Sequence, residues 1–275
     1  MRRRLACLLV AAFASVRADA AFERPGSLLS MQGAGADARM LLWVPWTISE
    51  NPASLAGSRS SWVLCAVSPS PFGLPELSSG SFGLIFPVSH FPISLAGWTT
   101  GFSLYRESSA SVGLASSLTE FFCVGVRGTL FMLSIADYGS ARCVGFDVGA
   151  TWRPDPVLSI GWFATRVNSP SLHAFRDRIP TSIGLGLCFS PLGWSDLSFD
   201  LVQESESPTE FRLGCSLQLH EALTLRVALS QNPADMTWGA DIRVRSFLIT
   251  YRVIQHPSLG SVHSIGLGIR WGGTE

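Results

Sequence analysis

EFRLGCSLQLHEALTLRVALSQ, residues 210–231, decides how the rest of the chain is read. Phe211, Leu213, Cys215, Leu217 and Leu219 hold the odd positions, followed by Leu223, Leu225, Val227 and Leu229. Arg212, Gly214, Ser216 and Gln218 hold the even ones, followed by Thr224, Arg226, Ala228 and Ser230. A period of two puts one set on each face of a strand. Both runs keep their apolar residues on odd numbers, and hairpin partners must share a face. The connection around His220-Glu221-Ala222 therefore holds an odd number of residues, most simply three. That register sets Leu219 against Leu223, Leu217 against Leu225 and Ser216 against Arg226.

What the apolar face touches is the next question. Of 275 residues, 47% are hydrophobic and only 15% charged, against about 25% charged in ordinary soluble domains. Away from the extreme N-terminus, no stretch supplies the roughly 20 apolar residues of a membrane helix. Hydrophobicity chopped into alternating pieces suits a transmembrane barrel. The alternating runs make 12 to 14 strands, with 14 favoured, an even number as bacterial barrels require.

The first 20 residues read as an export signal. Arg2, Arg3 and Arg4 precede an apolar core from Leu5 to Val16, and Ala18-Asp19-Ala20 offers a cleavage site. The mature chain would begin at Ala21. All 20 basic residues are Arg, and the signal holds four of them with Asp19, leaving 16 Arg against 19 acids, a net charge of −3. Such a balance gives no electrostatic footprint for nucleic acid. The five remaining cysteines, Cys65, Cys123, Cys143, Cys188 and Cys215, lie in strand-like runs and read as packing residues.

Residues 21–58 form a segment of different texture, with Ala36–Val44 able to make a short helix before Pro45. From residue 59 to 275 the alternating texture takes over. Trp62, Leu64 and Ala66 alternate in the first run, and Phe82, Leu84, Phe86 and Val88 in the second, with Pro87 either beginning a turn with Val88 to Pro92, the favoured reading, or marking a break in the wall. Residues 93–106 and 119–135 are strand-like. Val144 to Trp152 turns at Arg153-Pro154-Asp155-Pro156 into Leu158, Ile160 and Trp162. Runs at 183–189, 197–201, 238–244 and 247–253 follow, with a turn or bulge at Arg245-Ser246, and His263–Gly272 closes the chain.

An exported β-sandwich would alternate too. Three features favour a membrane barrel. Isolated charges (Asp147, Asp200, Arg212, Arg226, Asp241, Arg243, Arg270) sit on the polar face in mid-strand. The apolar face ends often in Trp or Phe, as at Trp152, Trp162, Phe189, Phe211 and Trp238, like the aromatic girdle of a membrane interface. The last strand ends on Trp271, which suits insertion by the outer-membrane assembly machinery. Membrane lipid is then the partner of the apolar face and the bacterial outer membrane the expected location.

At Glu50-Asn51-Pro52-Ala53-Ser54-Leu55-Ala56 the chain resembles the FadL-like outer-membrane barrels, and among them the short PorV and PorQ type with its uncharacterised spirochaete-type relatives. The likeness extends to the hairpin Gly149–Trp162 and to the last strand. It implies an N-terminal hatch inside the barrel, for which residues 21–58 are the matching position. It also implies passage of hydrophobic ligands sideways through the wall. On that reading Met40, Leu42, Trp43, Trp46, Asn51 and Pro52 line a pocket, and Arg212, Arg226 or Arg243 meets a carboxylate.

The expected function is transport of hydrophobic or amphipathic small molecules such as long-chain fatty acids. The PorV likeness supplies the alternative: a barrel that docks secretion partners, for which the polar loop 202–209 is a candidate surface. A third reading, a general diffusion porin, would need a wide open lumen and a constricting loop. No G-x-S-x-G elbow, H-E-x-x-H pair or P-loop appears, so no enzyme is expected. The five His fall at no metal-ligand spacing, so no metal or cofactor is expected. Asp147, Asp200 and Glu204 read as lumen partners for Arg.

Overall fold

A computed structural model describes residues 21–22, 49–88, 91–172, 177–205, 207–231 and 234–272. Its wall is a closed barrel of fourteen antiparallel strands. They are β1 (Ser61–Ser68), β2 (Ser79–Phe86), β3 (Ile93–Gly101), β4 (Tyr105–Ser117), β5 (Phe122–Ile135), β6 (Gly139–Trp152) and β7 (Leu158–Thr165). After a short hairpin, β8 (Ser171–Leu172) and β9 (Asp177–Arg178), come β10 (Ser182–Leu192), β11 (Ser195–Glu204), β12 (Glu210–His220), β13 (Leu223–Gln231), β14 (Asp235–Val244), β15 (Phe247–His256) and β16 (Gly260–Trp271). Pairing of β1 with β16 closes the ring, so the wall has no edge strand to leave backbone groups unpaired in lipid.

Alternation sorts the residues between lumen and lipid. Phe211 and Leu213 are 43% and 54% exposed, whereas Arg226 and Asp241 are 4% and 5% exposed. An exposed apolar band of this extent marks a lipid face. Connections at the end where β1 begins and β16 finishes are short, such as Gly193-Trp194, Glu221-Ala222 and Arg245-Ser246. The opposite end carries the longer ones, residues 69–78 and 166–181 among them. In outer-membrane barrels short turns face the periplasm and longer loops the exterior.

Register confirms Leu217 against Leu225 and Ser216 against Arg226. Leu219 does not face Leu223, however. His220 does, across the Glu221-Ala222 turn, and Leu219 is bulged out. Parity requires an odd excess, and a bulge plus a two-residue turn satisfies it as well as a three-residue loop. Arg245, at φ 54°, occupies the turn where the alternation changes phase. Pro87 follows the end of β2, so it breaks no ladder. The texture at 93–106 divides into β3 and the start of β4.

A larger correction concerns β1. Polarity alone would send Trp62, Leu64 and Ala66 to lipid, yet they face inward, 5%, 2% and 3% exposed. Leu55, Ile85, Ala115 and Leu248 pack against them. Part of the lumen is therefore a dry core.

One joint of the wall differs from the rest. β6 pairs with β7 only from Val148 to Trp152, five residues, while it pairs with β5 along fourteen. Beyond Val148 the free side of β6 meets the 166–181 connection. There Val167 N–H donates to the Phe146 carbonyl at 2.8 Å. The Asn168 side chain accepts from Phe146 N–H at 3.0 Å and donates to the Val144 carbonyl at 2.8 Å. A side-chain amide there substitutes for a missing strand.

Candidate functional site

Two seats inside the barrel hold N-terminal residues. The first lies toward the short-turn end. Pro52–Gly57 forms a 3-10 helix with Asn51 as its N-cap, and Asn51 Oδ1 accepts from Ala53 N–H at 3.0 Å. Asn51 Nδ2 donates to the carbonyls of Ala150 on β6 and Trp162 on β7, each at 3.3 Å. Both amide functions of Asn51 are thus engaged. The approach is so close that a Cβ on Gly149 would overlap Asn51 Oδ1, and one on Gly125 would overlap the Pro52 carbonyl. Arg127 holds the chain just before Asn51, donating to the Ser49 carbonyl at 2.8 Å and to Asp147 at 2.6 Å.

The second seat lies toward the longer-loop end. Phe22 is 1% exposed and packs with Phe131, Leu133, Ala141, Leu172 and Ile179. Its ring stands edge-on to Phe131 at 5.1 Å and tilted to Trp98 at 6.4 Å. The polar rim is equally defined. Phe22 N–H donates to Glu107 at 3.2 Å, and Tyr105 donates to the same carboxylate at 2.5 Å. The Phe22 carbonyl accepts from Arg166 at 3.2 Å. Arg166 also reaches Ser182 at 2.7 Å and Glu204 at 3.2 Å, and its backbone N–H donates to Asp147 at 2.7 Å. Leu172 and Ile179 bring the 166–181 connection into the pocket, so this pocket abuts the sparsely paired side of β6.

The residues expected to line a ligand site are distributed unevenly. Met40, Leu42, Trp43 and Trp46 lie outside the described residues, as do the signal and the Ala36–Val44 helix. Asn51 and Pro52 form the first seat. Arg212 pairs with Glu210 at 2.9 Å and Glu50 at 3.5 Å, and Arg226 pairs with Asp241 at 2.9 Å. Arg243 stands on the same inward face two residues after Asp241, nearer the short-turn end. These three do not converge on the Phe22 pocket. Asp147 and Glu204 pair with Arg127 and Arg166, and Asp200 faces Arg212 across strands. Arg166 and Glu107 were invisible to pattern reading. One sits in a connection without periodicity and the other among the serines of a run whose facing is unclear from polarity.

No family model matches the chain, and no curated protein matches it. Solved structures do share its fold. The toluene transporter TodX of Pseudomonas putida superposes with a TM-score of 0.58 at 11% identity, over 87% of this chain and 95% of that one. The CymD monoaromatic hydrocarbon channel gives 0.62 at 10% identity, over 89% and 94%. A FadL homologue of Pseudomonas aeruginosa gives 0.56 at 12% identity, over 89% and 96%. The chain has the architecture of the FadL-type channels.

Proposed function

We propose that this protein is an outer-membrane channel for hydrophobic small molecules, which enter at the longer-loop end and leave sideways through the wall. The observation that carries the reading is the apolar pocket around Phe22, set against the stretch where β6 has no strand paired on its β7 side. A greasy solute finds there a dry site lined by Phe131, Leu133 and Ile179, and beside it the joint with the fewest ladder bonds. Phe22 fills that site as a ligand would, and displacing it exposes the pocket.

Monoaromatic hydrocarbons, for which TodX and CymD are channels, suit such a pocket by chemistry alone. A long-chain fatty acid needs in addition a cation. Arg212 and Arg226 would have to leave internal carboxylates to serve. Arg166 lies closer to the purpose, because its bond to the Phe22 carbonyl is released when Phe22 moves and passes to an incoming carboxylate.

The test uses a cysteine pair, Val144→Cys with Asn168→Cys, placed where the Asn168 amide bonds β6. Cells bearing the oxidised pair should take up toluene and oleate several-fold more slowly than the same cells after reduction. Equal uptake in both redox states excludes the sideways route. Mass spectrometry of the purified barrel should further show apolar molecules above the level in a control barrel, and Leu133→Asp should remove them. A barrel as empty as the control would overturn the transport reading itself.

A further inference from the structure

The described wall strands sort their charges almost completely. Every Asp and Glu faces the lumen, and so does every Arg except Arg106 on β4 and Arg142 on β6. These two face outward, both at the longer-loop end. Neither makes an ion pair with a described residue, and Asp137 in the adjoining turn pairs with neither.

Register gives their spacing. Arg106 aligns with Ser134 of β5, which aligns with Ser140 of β6. Ser108 aligns with Met132, which aligns with Arg142. The two arginines therefore stand two strands and two residues apart, roughly 12 Å between Cα atoms. Hydroxyls lie between and beside them, including Thr99, which bonds Ser108 at 3.0 Å. The next outward row toward the membrane centre is Ala110, Leu130 and Val144, and the row after it holds Val112 and Phe146. Here the apolar band stops and a cationic, hydroxylated patch begins.

An outward Arg is costly in hydrocarbon and nearly free of cost at the interface, so the patch belongs at headgroup level. Two guanidinium groups with no internal counter-ion, separated by a span their side chains can close, complement a phosphate ester. We infer that Arg106 and Arg142 form a binding site for the phosphate headgroup of a lipid in the outer leaflet. The site lies outside the lumen and is separate from the transport route. A bound lipid would brace β4, β5 and β6 from outside, the three strands that carry Phe131, Leu133 and the sparsely paired joint.

The full barrel is placed in phosphatidylcholine nanodiscs containing either lipid A or dephosphorylated lipid A, extracted into mild detergent and examined by native mass spectrometry. The wild type should retain lipid A and hold the dephosphorylated form roughly tenfold less. The R106Q/R142Q pair should lose lipid A retention by a similar factor, R106K/R142K should keep most of it, and R153Q/R245Q, at the opposite rim, should match the wild type. Equal retention of the two lipids by the wild type, or unaltered retention by folded R106Q/R142Q, overturns the assignment and leaves two solvated rim arginines. If the glutamine pair fails to fold, the comparison of the two lipids on the wild type still decides.

Discussion

The two seats inside the barrel hold two parts of the N-terminal segment by different physics. At Asn51 the contact is backbone to amide, with Gly125 and Gly149 leaving no room for a side chain. Nothing else of similar shape can replace it. At Phe22 the contact is an aromatic ring in an apolar pocket, with one N–H and one carbonyl satisfied by Glu107 and Arg166. A ligand with an apolar body and a polar end can reproduce that pattern. The first seat is a fixed joint and the second an exchangeable one.

This contrast can be broken by substitution. Arg127→Met should have the largest effect, because it leaves the buried Asp147 carboxylate without its guanidinium and releases Ser49; a loss of about 3 kcal/mol is expected, read from the urea midpoint of the detergent-folded barrel. Gly149→Val should follow at about 2 kcal/mol, and it should also make the chain near Asn51 open to protease. Asn51→Ala gives up the cap and both carbonyl bonds, for about 1.5 kcal/mol. Asn51→Asp should fare no better, since a carboxylate cannot donate. Phe22→Ala should move the midpoint less than Asn51→Ala, because an exchangeable seat, once vacated, can be refilled by detergent or ligand, whereas the fixed joint cannot. Its signature should appear in ligand binding instead, with tighter uptake of small aromatics reported by quenching of Trp98. A midpoint shift at Phe22 as large as that at Asn51 would erase the distinction between the seats.

Much of the wall was legible from period two alone. Phe211, Leu213 and Leu225 face lipid and Arg212 and Arg226 face the lumen as their polarity requires, because lipid and polar interior impose opposite demands at each step. The turns at Arg153–Pro156 and Arg245-Ser246 declared themselves by composition or by a change of phase. Trp62, Leu64 and Ala66 escaped that logic, since an apolar lumen surface and a lipid face select the same residues. Only their packing partners, Leu55, Ile85, Ala115 and Leu248, tell them apart. Asn51-Pro52 pointed to the fixed seat only through the family resemblance, and the glycines at 125 and 149 show a role only when the segment lies against them. The exchangeable seat left no local mark. Its parts come from residues 22, 107, 131, 166 and 179, and no spacing rule connects them.

The short pairing of β6 with β7 also has a mechanical consequence. A hoop of staves yields at its narrowest contact, and parting these two strands breaks a ladder of five residues where the remaining joints span seven to fourteen. The strand ladder is therefore thinnest at one angular position on the cylinder, where the Val167 and Asn168 bonds to β6 supplement it. A cylinder built this way can widen locally without loosening as a whole.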